Sequence, residues 1–574
     1  MALAIIPARP HAPAAPPRPD RRRALGCLLA AGVLAQVALR LWLARTRTGP
    51  AADPDETGYL IAARWLAGGP GADLSGNTFY QGGYPLLLTP VYWFTRDPAA
   101  VYAAVMVINA LAGAALFPLG YAAARRFGLG RRTALPLAFA AALLPATTFF
   151  GAFALADAVL PALVLGWLLS LDRFVRSGRA GGAVLASTVA SCAAAVHTRG
   201  TVLLAVHALA LAVLALHPPR RRAALVAGGA ALAGFAAGSM LNAQITDALY
   251  PGGVRDLAGI LESRLGTVAG QQWALSGAAG QLWYLVASTW GLAGAGLAAV
   301  AVVPVRRRTP AADRLMAAVL LTATCGIAYA SSAALPDEHR VGNFAYGRYL
   351  SCLALVYALA GAVVLLRAGA RTALGAAASS VLVLAGTGLW VTAYAGERLR
   401  THAFIGFDFP EIMFLTGDRA ALHLPEATLA AAALLGALLL LSRVGRAPLA
   451  AIALTGVNLA AMTFVMTPSR ERVRPVPPLP GPAAGGVVAD VSLNWATRTK
   501  LMYPVWWTRI GRIDVRDGRP PAPGVCTVVV PVPDGTSPEA SWPAHPAAWR
   551  VHARPGWAAW HDPDCAAARQ RAAQ

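Results

Sequence analysis

The sequence predicts an all-α polytopic membrane protein of about 13 transmembrane helices, followed by a small C-terminal extracytoplasmic α/β domain. Three observations support this prediction. Of the 574 residues, 57% are hydrophobic and 13% are charged, whereas soluble domains carry about 25% charged residues. Long apolar runs recur along the chain, near the roughly 20 residues that a helix needs to cross the hydrocarbon. Arginine clusters occur on every second connection between these runs.

The apolar runs divide the chain into three parts. Residues 1–20, rich in Ala and Pro, predict a disordered cytosolic leader. Residues 21–467 predict a transmembrane domain, and its first run lacks a clear small-residue cleavage site, which favours a retained span over a signal peptide. Residues 468–574 predict a separate domain. The predicted spans are 24–43, 99–123, 133–150, 157–171, 181–197, 201–217, 223–241, 283–304, 314–334, 349–366, 373–395, 426–442 and 448–467.

The net charge of +22 is explained by membrane orientation, so no nucleic-acid partner is predicted. By the positive-inside rule, short arginine-rich loops lie in the cytosol. A cytoplasmic N-terminus places every arginine block on that side of the cell membrane, and the odd number of spans places the C-terminal domain outside. The blocks are Arg21 to Arg23, Arg125 with Arg126, Arg131 with Arg132, Arg173 with Arg176 and Arg179, Arg220 to Arg222, Arg306 to Arg308, Arg367 with Arg371, and Arg443 with Arg446.

The carboxylates give an independent indication of sidedness. Before residue 468, only Asp20, Asp172 and Asp313 fall on the predicted cytosolic side, and the other acidic residues fall on external loops and span ends. Because functional residues concentrate in long loops, we expect the working face to be external. The long external segments are 44–98, 242–282, 335–348 and 396–425.

The C-terminal segment combines short apolar runs with polar turns, which predicts a water-exposed α/β domain. Its tryptophans have two interpretations: they stack on sugars, or they form the core and membrane rim of a domain of about 100 residues. Cys526 and Cys565 lie in this segment, whereas the other four cysteines fall within or beside apolar runs. They are the candidate disulfide, because a disulfide persists on the oxidising side of the membrane.

Two carboxylate positions are candidates for acid–base chemistry. Asp55 and Glu56 follow the first span, and partial desolvation near a bilayer raises the basicity of a carboxylate. The alternative for this pair is a solvated loop start. Asp157 lies at the external end of two short apolar runs, where an ionisable group is costly and indicates function. The alternative for Asp157 is a helix N-cap.

Several external donors are suited to binding a phosphate. Arg199 lies in the tight turn between the fifth and sixth spans and is an exception to the arginine asymmetry. The alternatives are snorkelling for Arg199, an aromatic belt for the tyrosines near residue 348, and an ion pair between Arg340 and Glu338. The other candidate donors, all between residues 337 and 350, are His339, Arg340, Tyr346, Arg348 and Tyr349.

Nucleotide-driven chemistry is not indicated by the sequence. The chain has no Gly-rich fingerprint after a strand and no Walker lysine, and Lys500 is its single lysine. It also has no His-Glu-x-x-His metal helix. The sequence therefore gives no support for ATP-driven transport.

Together these motifs resemble the GT-C superfamily of membrane glycosyltransferases, nearest to bacterial enzymes of the dolichyl-phosphate-mannose mannosyltransferase and aminoarabinose-transferase type. The resemblance covers about residues 24–400. Many relatives have Glu where this chain has Asp157, and the C-terminal domain has no counterpart that we can name. The residues that carry the resemblance are Asp55-Glu56-x-x-Tyr59, Gly82-Gly83-Tyr84-Pro85-Leu86-Leu87-Leu88, Asp157, Arg199 and Gly347-Arg348-Tyr349-Leu350.

The resemblance implies a GT-C-like catalytic domain that transfers a sugar from a polyprenyl-phosphate donor to an extracytoplasmic cell-envelope acceptor. A single displacement of the phosphate by the acceptor hydroxyl would then give inversion. The resemblance also implies a catalytic base at Asp55 or Glu56, an assisting carboxylate at Asp157, and phosphate binding by Arg199 and Arg348. No cofactor is certain, and a divalent cation, Mg²⁺ or Mn²⁺, is left open. Membrane lipids and a glycan, lipid or protein acceptor are the expected partners. Further expected substrate-binding residues are Tyr59, Tyr84, His339, Arg340, Tyr346 and Tyr349.

Two other classes of function are compatible with a dozen or so spans. A secondary transporter or lipid-linked-sugar flippase usually has ionisable residues at mid-membrane, often in repeated halves, whereas the charges here lie at external span ends. A non-catalytic assembly or sensor protein would use residues 468–574 as its binding module. Release of polyprenyl phosphate from a sugar-charged lipid would distinguish a transferase from both.

Overall fold

The computed structural model describes residues 19–444, 447–467, 479, 486–503 and 510–565. Most of these residues are helical, and a five-stranded sheet lies near the C-terminal end. The predicted helical membrane protein with a small C-terminal α/β domain is therefore confirmed. The predicted leader, residues 1–20, lies outside the described residues except for Pro19 and Asp20, which begin the first helix.

The helices follow one another with short connections. Five 3-10 turns lie between them in the described chain, at Phe150–Ala152, Ala156–Ala158, Val341–Asn343, Gly406–Asp408 and Val515–Asp517. The helices are α1 (Pro19–Ala44), α2 (Asp55–Leu66), α3 (Gly83–Leu88), α4 (Val91–Phe94), α5 (Pro98–Ala114), α6 (Leu116–Arg126), α7 (Arg131–Ala142), α8 (Pro145–Thr148), α9 (Leu160–Ser177), α10 (Ala180–Val196), α11 (Thr198–Ala215), α12 (Pro218–Leu249), α13 (Leu257–Leu265), α14 (Val268–Ala287), α15 (Leu292–Val302), α16 (Ala311–Ala334), α17 (Ser351–Arg367), α18 (Ala370–Ala395), α19 (Arg398–Thr401), α20 (Pro410–Thr416), α21 (Leu424–Arg443), α22 (Ala447–Met466), α23 (Trp495–Met502) and α24 (Pro538–Ser541).

The described chain is that of a multi-pass membrane protein. Among the described residues, eight segments are long and apolar enough to cross a membrane, or up to ten if two bent helix pairs each count as one span. Two further predicted spans, 181–197 and 349–366, correspond to the shorter apolar helices α10 and α17. The predicted span 157–171 corresponds to α9, whose last turns carry Asp172, Arg173 and Arg176.

Two predicted spans are not single straight helices. The span at 133–150 is broken between α7 and α8, with a bend of 63°, because Pro145 has no amide proton to continue the helix. The span at 283–304 contains a 115° bend between α14 and α15. At this bend Trp290 and Gly291 both have positive φ, 55° and 79°, so the chain reverses there instead of crossing as one helix.

The chain divides into two compact units, each discontinuous in sequence. The first unit is Met1–Thr46, Met106–Met240 and Asp256–Pro468. The second unit is Arg47–Val105, Leu241–Arg255 and Ser469–Gln574. The predicted first external loop thus belongs to the same unit as the C-terminal sheet. Independent folding of residues 468–574 stays a prediction.

In the first unit, α15 packs closely against α17 through glycines. A Cβ at Gly296 would lie 2.0 Å from the carbonyl oxygen of Tyr357, and a Cβ at Gly361 would lie 2.0 Å from that of Leu292. Small residues let membrane helices approach each other, and van der Waals packing then holds them together. A larger side chain at either glycine would separate the two helices.

The first unit also gathers charged residues that the sequence assigns to the cytosolic face. Asp172 on α9 pairs with Nε of Arg126 at 2.6 Å and with Nε of Arg176 at 3.0 Å. Asp313 on α16 pairs with Arg176 and lies 3.6 Å from Nη2 of Arg126. Two of the three carboxylates predicted to be cytosolic therefore share one cluster. The orientation of this cluster relative to the cell stays a prediction.

The sheet of the second unit is mixed. Its strand order is β2-β1-β3-β5-β4, with β1 parallel to β2 and β3, and β5 antiparallel to β3 and β4. Val528, Val529 and Val530 of the central strand are fully buried, as expected for a strand that is covered on both faces. The strands are β1 (Gly486–Asp490), β2 (Ile510–Ile513), β3 (Val525–Pro531), β4 (Arg550–Arg554) and β5 (Trp557–His561).

The structure bears on two predictions for the C-terminal domain, the disulfide and the position of its tryptophans. Cys526 on β3 forms a disulfide with Cys565, which confirms the predicted pair. Trp542 and Trp560 are 1% and 2% exposed, and their ring centroids lie 5.9 Å apart. These two rings form the core of the domain, whereas Trp495 is exposed.

The predicted first external loop is folded against other parts of the second unit. The Leu74 amide donates to the Leu249 carbonyl at 2.7 Å, and the Gly82 amide donates to Oδ1 of Asn242 at 2.9 Å. Helix α23 of the C-terminal segment packs against α2, and the Tyr503 hydroxyl donates to the carbonyl of Pro98. These contacts fix the helix that begins at Asp55.

Candidate functional site

Asp157 lies at the centre of a buried ion-pair cluster in the first unit. It occupies the 3-10 turn Ala156–Ala158, in the irregular segment between α8 and α9. Its side chain is 1% exposed, and its two oxygens accept from Arg199 and from Nε of Arg348, the latter at 2.8 Å. The cap residue of α9 is Val159, so the N-cap alternative for Asp157 is wrong.

Arg199 connects this carboxylate to the chain around residue 348. The tight turn before α11 places Arg199 in the first helical turn, and a Cβ at Gly200 would lie 1.9 Å from the carbonyl oxygen of Ala193. Only glycine fits that close approach. Nη1 of Arg199 donates to the Arg348 carbonyl at 2.9 Å and to the Tyr349 carbonyl at 3.3 Å. The Arg199 side chain is 3% exposed, so the snorkelling alternative is wrong.

The charges of this cluster do not cancel. One carboxylate faces two guanidinium groups, and all three side chains are at most 8% exposed. Burial alone would raise the pKa of Asp157, but the nearby Arg199, Arg348 and His197 outweigh it and hold that pKa well below its usual range. Burial, followed by the charge of Arg199, holds the pKa of His197 well below its ordinary value, so this ring is neutral. Counted alone, Asp157, Arg199 and Arg348 sum to a net charge of about +1, a balance that favours a nearby anion.

Arg340 and Tyr346 lie beside Arg348. The Arg340 guanidinium is 5.3 Å from the centre of the Tyr346 ring, and Nη1 of Arg348 lies 3.5 Å from the Tyr346 hydroxyl. Arg340 pairs with Glu338 at 3.2 Å, as the sequence suggested, and with Asp408 at 3.3 Å. Two of the predicted phosphate ligands are therefore joined through a tyrosine.

Asp408 was missed as a site residue. It lies in the turn Gly406–Asp408 and is 2% exposed, with its carboxylate on Arg340. The available signal was its position in the long external segment 396–425, among the segregated acidic residues. Nothing in the local sequence indicated its partner, because Arg340 is 68 residues away.

An apolar wall lies next to these charges. The ring of Phe407 lies 5.0 Å from that of Phe153 and 5.5 Å from that of Phe150. The Arg348 guanidinium is 5.8 Å from the centre of the Phe150 ring. Aromatic side chains lower the local dielectric, which strengthens the attraction between the guanidinium groups and an anion.

Two predicted ligands occupy the margin of the cluster. Tyr349 is half-buried, with its ring 4.7 Å from that of Tyr346 and 5.6 Å from the Arg199 guanidinium. His339 is exposed and stacks on His402, with ring centres 5.5 Å apart. The structure therefore brings Asp157, Arg199, Arg340, Tyr346, Arg348 and Tyr349 into one connected group and gives His339 a separate partner.

Glu56, in the second unit, is a fully buried side chain with its hydrogen bonds already made. Oε1 accepts from the amides of Ala51 and Ala52, both at 2.7 Å, and Oε2 accepts from the Tyr102 hydroxyl at 2.7 Å. Its exposed fraction is 0%. These contacts close the turn before α2, so the geometry gives Glu56 a structural role.

Asp55 differs from its neighbour in exposure and in partners. It begins α2 and is half-exposed, and the Tyr80 hydroxyl donates to its Oδ1 at 3.1 Å. Asp53 lies two residues earlier and accepts from the Thr57 hydroxyl, and burial raises its pKa above the usual value. Of the two predicted bases, Asp55 is the more exposed.

Tyr59 and Tyr84, the two tyrosines predicted to bind substrate, belong to the aromatic group that contains Tyr80, whose hydroxyl donates to Asp55. Tyr59 and Tyr84 are 2% and 0% exposed. The ring of Tyr59 lies 5.2 Å from the rings of both Tyr80 and Tyr84. A Cβ at Gly58 would lie 2.3 Å from the Tyr80 ring, so the missing side chain at 58 is what lets Tyr80 reach Asp55.

In the described part of the chain, no three His, Cys, Asp or Glu side chains form a group that could hold a metal ion. The dependence on Mg²⁺ or Mn²⁺ that the sequence left open stays a prediction, and no step below passes through a metal.

Comparisons with known proteins bear on the fold. No protein-family model matches the sequence, and no curated protein matches it. The structure is similar to the crystal structure of ArnT from Cupriavidus metallidurans bound to undecaprenyl phosphate, with a TM-score of 0.53 and 15% identity, over 94% of this chain and 98% of that one. The chain therefore shares the fold of this ArnT structure, in agreement with the GT-C-like fold predicted from the sequence.

Two other solved structures match this chain with lower TM-scores. Arabinosyltransferase EmbB from Mycobacterium smegmatis matches with a TM-score of 0.40 and 16% identity, over 92% of this chain and 46% of that one. Oligosaccharyltransferase AglB from Archaeoglobus fulgidus, in complex with an inhibitory peptide and a dolichol-phosphate, matches with a TM-score of 0.41 and 12% identity, over 93% and 74%.

Proposed function

We propose that this chain transfers a sugar from a polyprenyl-phosphate donor to an extracytoplasmic cell-envelope acceptor, with inversion at the anomeric carbon. The buried cluster of Asp157, Arg199 and Arg348 carries this proposal. It provides a net positive, water-poor site in a membrane protein whose fold is that of ArnT, a protein solved with undecaprenyl phosphate bound. A lipid-borne phosphate is an anion that such a site can bind from within the bilayer.

The arginines act on the leaving group. As the bond between the anomeric carbon and the phosphate oxygen breaks, negative charge develops on the phosphate, and the Arg348 guanidinium stabilises it. Arg199 holds the backbone of residues 348 and 349, and Asp157 fixes both guanidinium groups. Donors that are already oriented before the reaction lose little energy to reorganisation. Asp157 is thus a positioning residue in this mechanism.

Asp55 acts on the acceptor. Its carboxylate takes the proton of the acceptor hydroxyl while the hydroxyl oxygen attacks the anomeric carbon from the face opposite the phosphate. A single displacement of this kind inverts the configuration. The Tyr80 hydroxyl donates to Oδ1 of Asp55, and this hydrogen bond orients the carboxylate. General-base assistance contributes about 10² to 10⁴ in rate.

The decisive experiment compares two neighbouring carboxylates. Purified wild type, Asp55→Asn and Glu56→Gln are assayed for release of polyprenyl phosphate from lipid-linked sugars extracted from the source cells. We expect Asp55→Asn to lower kcat by about 10² or more. Glu56→Gln should mainly lower the free energy of unfolding and have a smaller effect on kcat, because a Gln amide oxygen replaces a carboxylate that accepts three hydrogen bonds. Normal transfer by Asp55→Asn would refute Asp55 as base.

The same assay addresses the transporter or flippase alternative. A flippase moves the sugar-charged lipid between leaflets without breaking it, so polyprenyl phosphate would not be released.

We propose that the cluster around Asp157 faces the extracytoplasmic side, opposite the Arg126 and Asp172 cluster. In a variant that lacks the four unpaired native cysteines, His339→Cys should react with an impermeant thiol reagent in sealed cells, whereas Arg173→Cys should react only after the membrane has been permeabilised.

The identity of the acceptor requires the cells themselves. Mass spectrometry of envelope glycans, lipids and proteins from a deletion strain should show loss of one sugar substituent and accumulation of its lipid-linked form. A strain complemented with Asp55→Asn serves as the matched control, because it retains the folded protein without the proposed base.

A further inference from the structure

Gly347, directly before Arg348, lies against an aromatic ring. A Cβ built at Gly347 would lie 1.9 Å from Cδ1, 2.2 Å from Cε1 and 2.3 Å from Cγ of Tyr284. These atoms belong to a ring, which cannot flex away as the end of a long side chain can. Glycine is therefore the residue that lets the chain pass over Tyr284 and place Arg348.

Tyr284 is itself fixed in position. It lies in the last turn of α14, is 3% exposed, and donates from its hydroxyl to Oε2 of Glu411 at 2.6 Å. Its ring also contacts that of Phe409, with centres 6.0 Å apart. A ring that is held at both its edge and its hydroxyl cannot easily adopt another rotamer.

Neither the fold nor the proposed chemistry explains why Glu411 is buried. It is 0% exposed on α20, and its Oε1 has no hydrogen-bond partner among the described residues. Burial raises the pKa of Glu411 to about 7. An unsatisfied buried carboxyl oxygen is costly, and the contact that this residue does make is the one to Tyr284.

The contact between α14 and the chain before Arg348 extends beyond this ring. A Cβ at Gly280 would lie 1.9 Å from the carbonyl oxygen of Phe344. Gly280 lies one helical turn before Tyr284, so the helix touches the segment 344–347 at two successive turns. The backbone that leads to Arg348 thus rests on α14.

We propose that Tyr284, held by Glu411, is a positioning residue that places the Gly347–Arg348 segment so that the Arg348 guanidinium meets the donor phosphate. The inference rests on the proposed function of Arg348. It adds α14 and α20, which carry no predicted site residue, to the structure that determines donor binding.

The test is a rescue experiment. Gly347→Ala brings a methyl group into the Tyr284 ring and should shift Arg348, which lowers kcat/KM for the lipid donor by about a hundredfold, as a displacement of about 1 Å can. Tyr284→Ala removes the ring, so the double variant Gly347→Ala/Tyr284→Ala should regain at least about tenfold of that loss. Gly386→Ala, at a helical glycine with open space around its Cβ, is the matched control.

Conservative variants separate the hydrogen bond from the ring. Tyr284→Phe and Glu411→Leu should each raise KM for the donor about tenfold with a smaller change in kcat. Glu411→Gln keeps an acceptor for the tyrosine and should retain a KM near that of wild type. Tyr329→Phe loses a comparable bond, 2.9 Å to Oε1 of Gln271, and should leave KM unchanged.

Failure of this inference is distinguishable from failure of the proposed function. Binding of undecaprenyl phosphate, measured by native mass spectrometry, is recorded for wild type, Arg348→Ala and each variant above. If Arg348→Ala binds it as wild type does, the proposed function fails. If Arg348→Ala loses binding but Tyr284→Phe, or a folded Gly347→Ala, binds normally, the positioning role is overturned. Should Gly347→Ala not fold, Tyr284→Phe alone decides.

Discussion

The stability of the Asp157 cluster is open to a quantitative test. The Asp157 side chain is 1% exposed, and its partners Arg199 and Arg348 are 3% and 8% exposed. Asp157→Asn preserves the shape of the side chain but raises the net charge of the buried group from about +1 to about +2. Removing one partner of a buried ion pair costs about 3–5 kcal/mol. We therefore expect this variant to lose about that much free energy of unfolding.

The measurement is reversible unfolding of the purified protein in mixed micelles. Asp418→Asn is the matched control, because Asp418 pairs with His423 at the surface with 37% of its side chain exposed, and exposed ion pairs contribute little to stability. The double variant Asp157→Asn/Arg348→Gln returns the net charge to about +1 and should recover part of the loss. The reasoning is refuted if Asp157→Asn is as stable as wild type.

Three further predictions concern other parts of the chain. Because the pKa of Glu411 rises from 4.5 to about 7 on folding, the folded state holds a proton that the unfolded chain releases, so stability should fall by about 3 kcal/mol between pH 4.5 and 7. In Glu411→Gln, the free energy of unfolding should not show this fall between pH 4.5 and 7. A pH dependence identical to that of wild type would contradict the prediction. Gly58→Ala should displace Tyr80 from Asp55 and lower kcat about tenfold without unfolding, checked by turnover and circular dichroism. Cys526→Ala opens a disulfide that spans 39 residues and should cost about 3–4 kcal/mol, measured as faster proteolysis of the C-terminal domain.

The sequence predicted the membrane fold well because hydrocarbon imposes simple rules. Apolar length and arginine spacing located the helices, and the cost of a buried charge drew attention to Asp157 and Arg199. The breaks at 142–145 and 288–291 were harder, since an apolar run stays apolar whether or not the helix bends within it. Pro145 was a visible signal for the first break. The positive φ of Trp290 had no comparable signal.

The candidate site was predictable in composition but not in its pairings. Asp55 and Glu56 are neighbours with the same chemistry, and only the fold shows that Tyr102 and two backbone amides occupy Glu56. Asp408 was missed for the same reason, because its partner is distant in sequence. Tyr59 and Tyr84, expected to bind substrate, pack in one aromatic group with Tyr80, and their substrate-binding role stays a prediction. Long-range contacts decide such roles, and a single sequence does not contain them.

The spacing of the Asp157 ligands along the chain has a consequence for biogenesis. Arg348 follows Asp157 by 191 residues, which corresponds to about 10 to 40 seconds of synthesis at roughly 5–20 residues per second. During that interval the nascent protein holds a carboxylate and one guanidinium whose final partner has not left the ribosome. Until Arg348 is available, these charged groups require solvation by water or by the insertion machinery. The complete cluster can therefore form only after Arg348 has been synthesised.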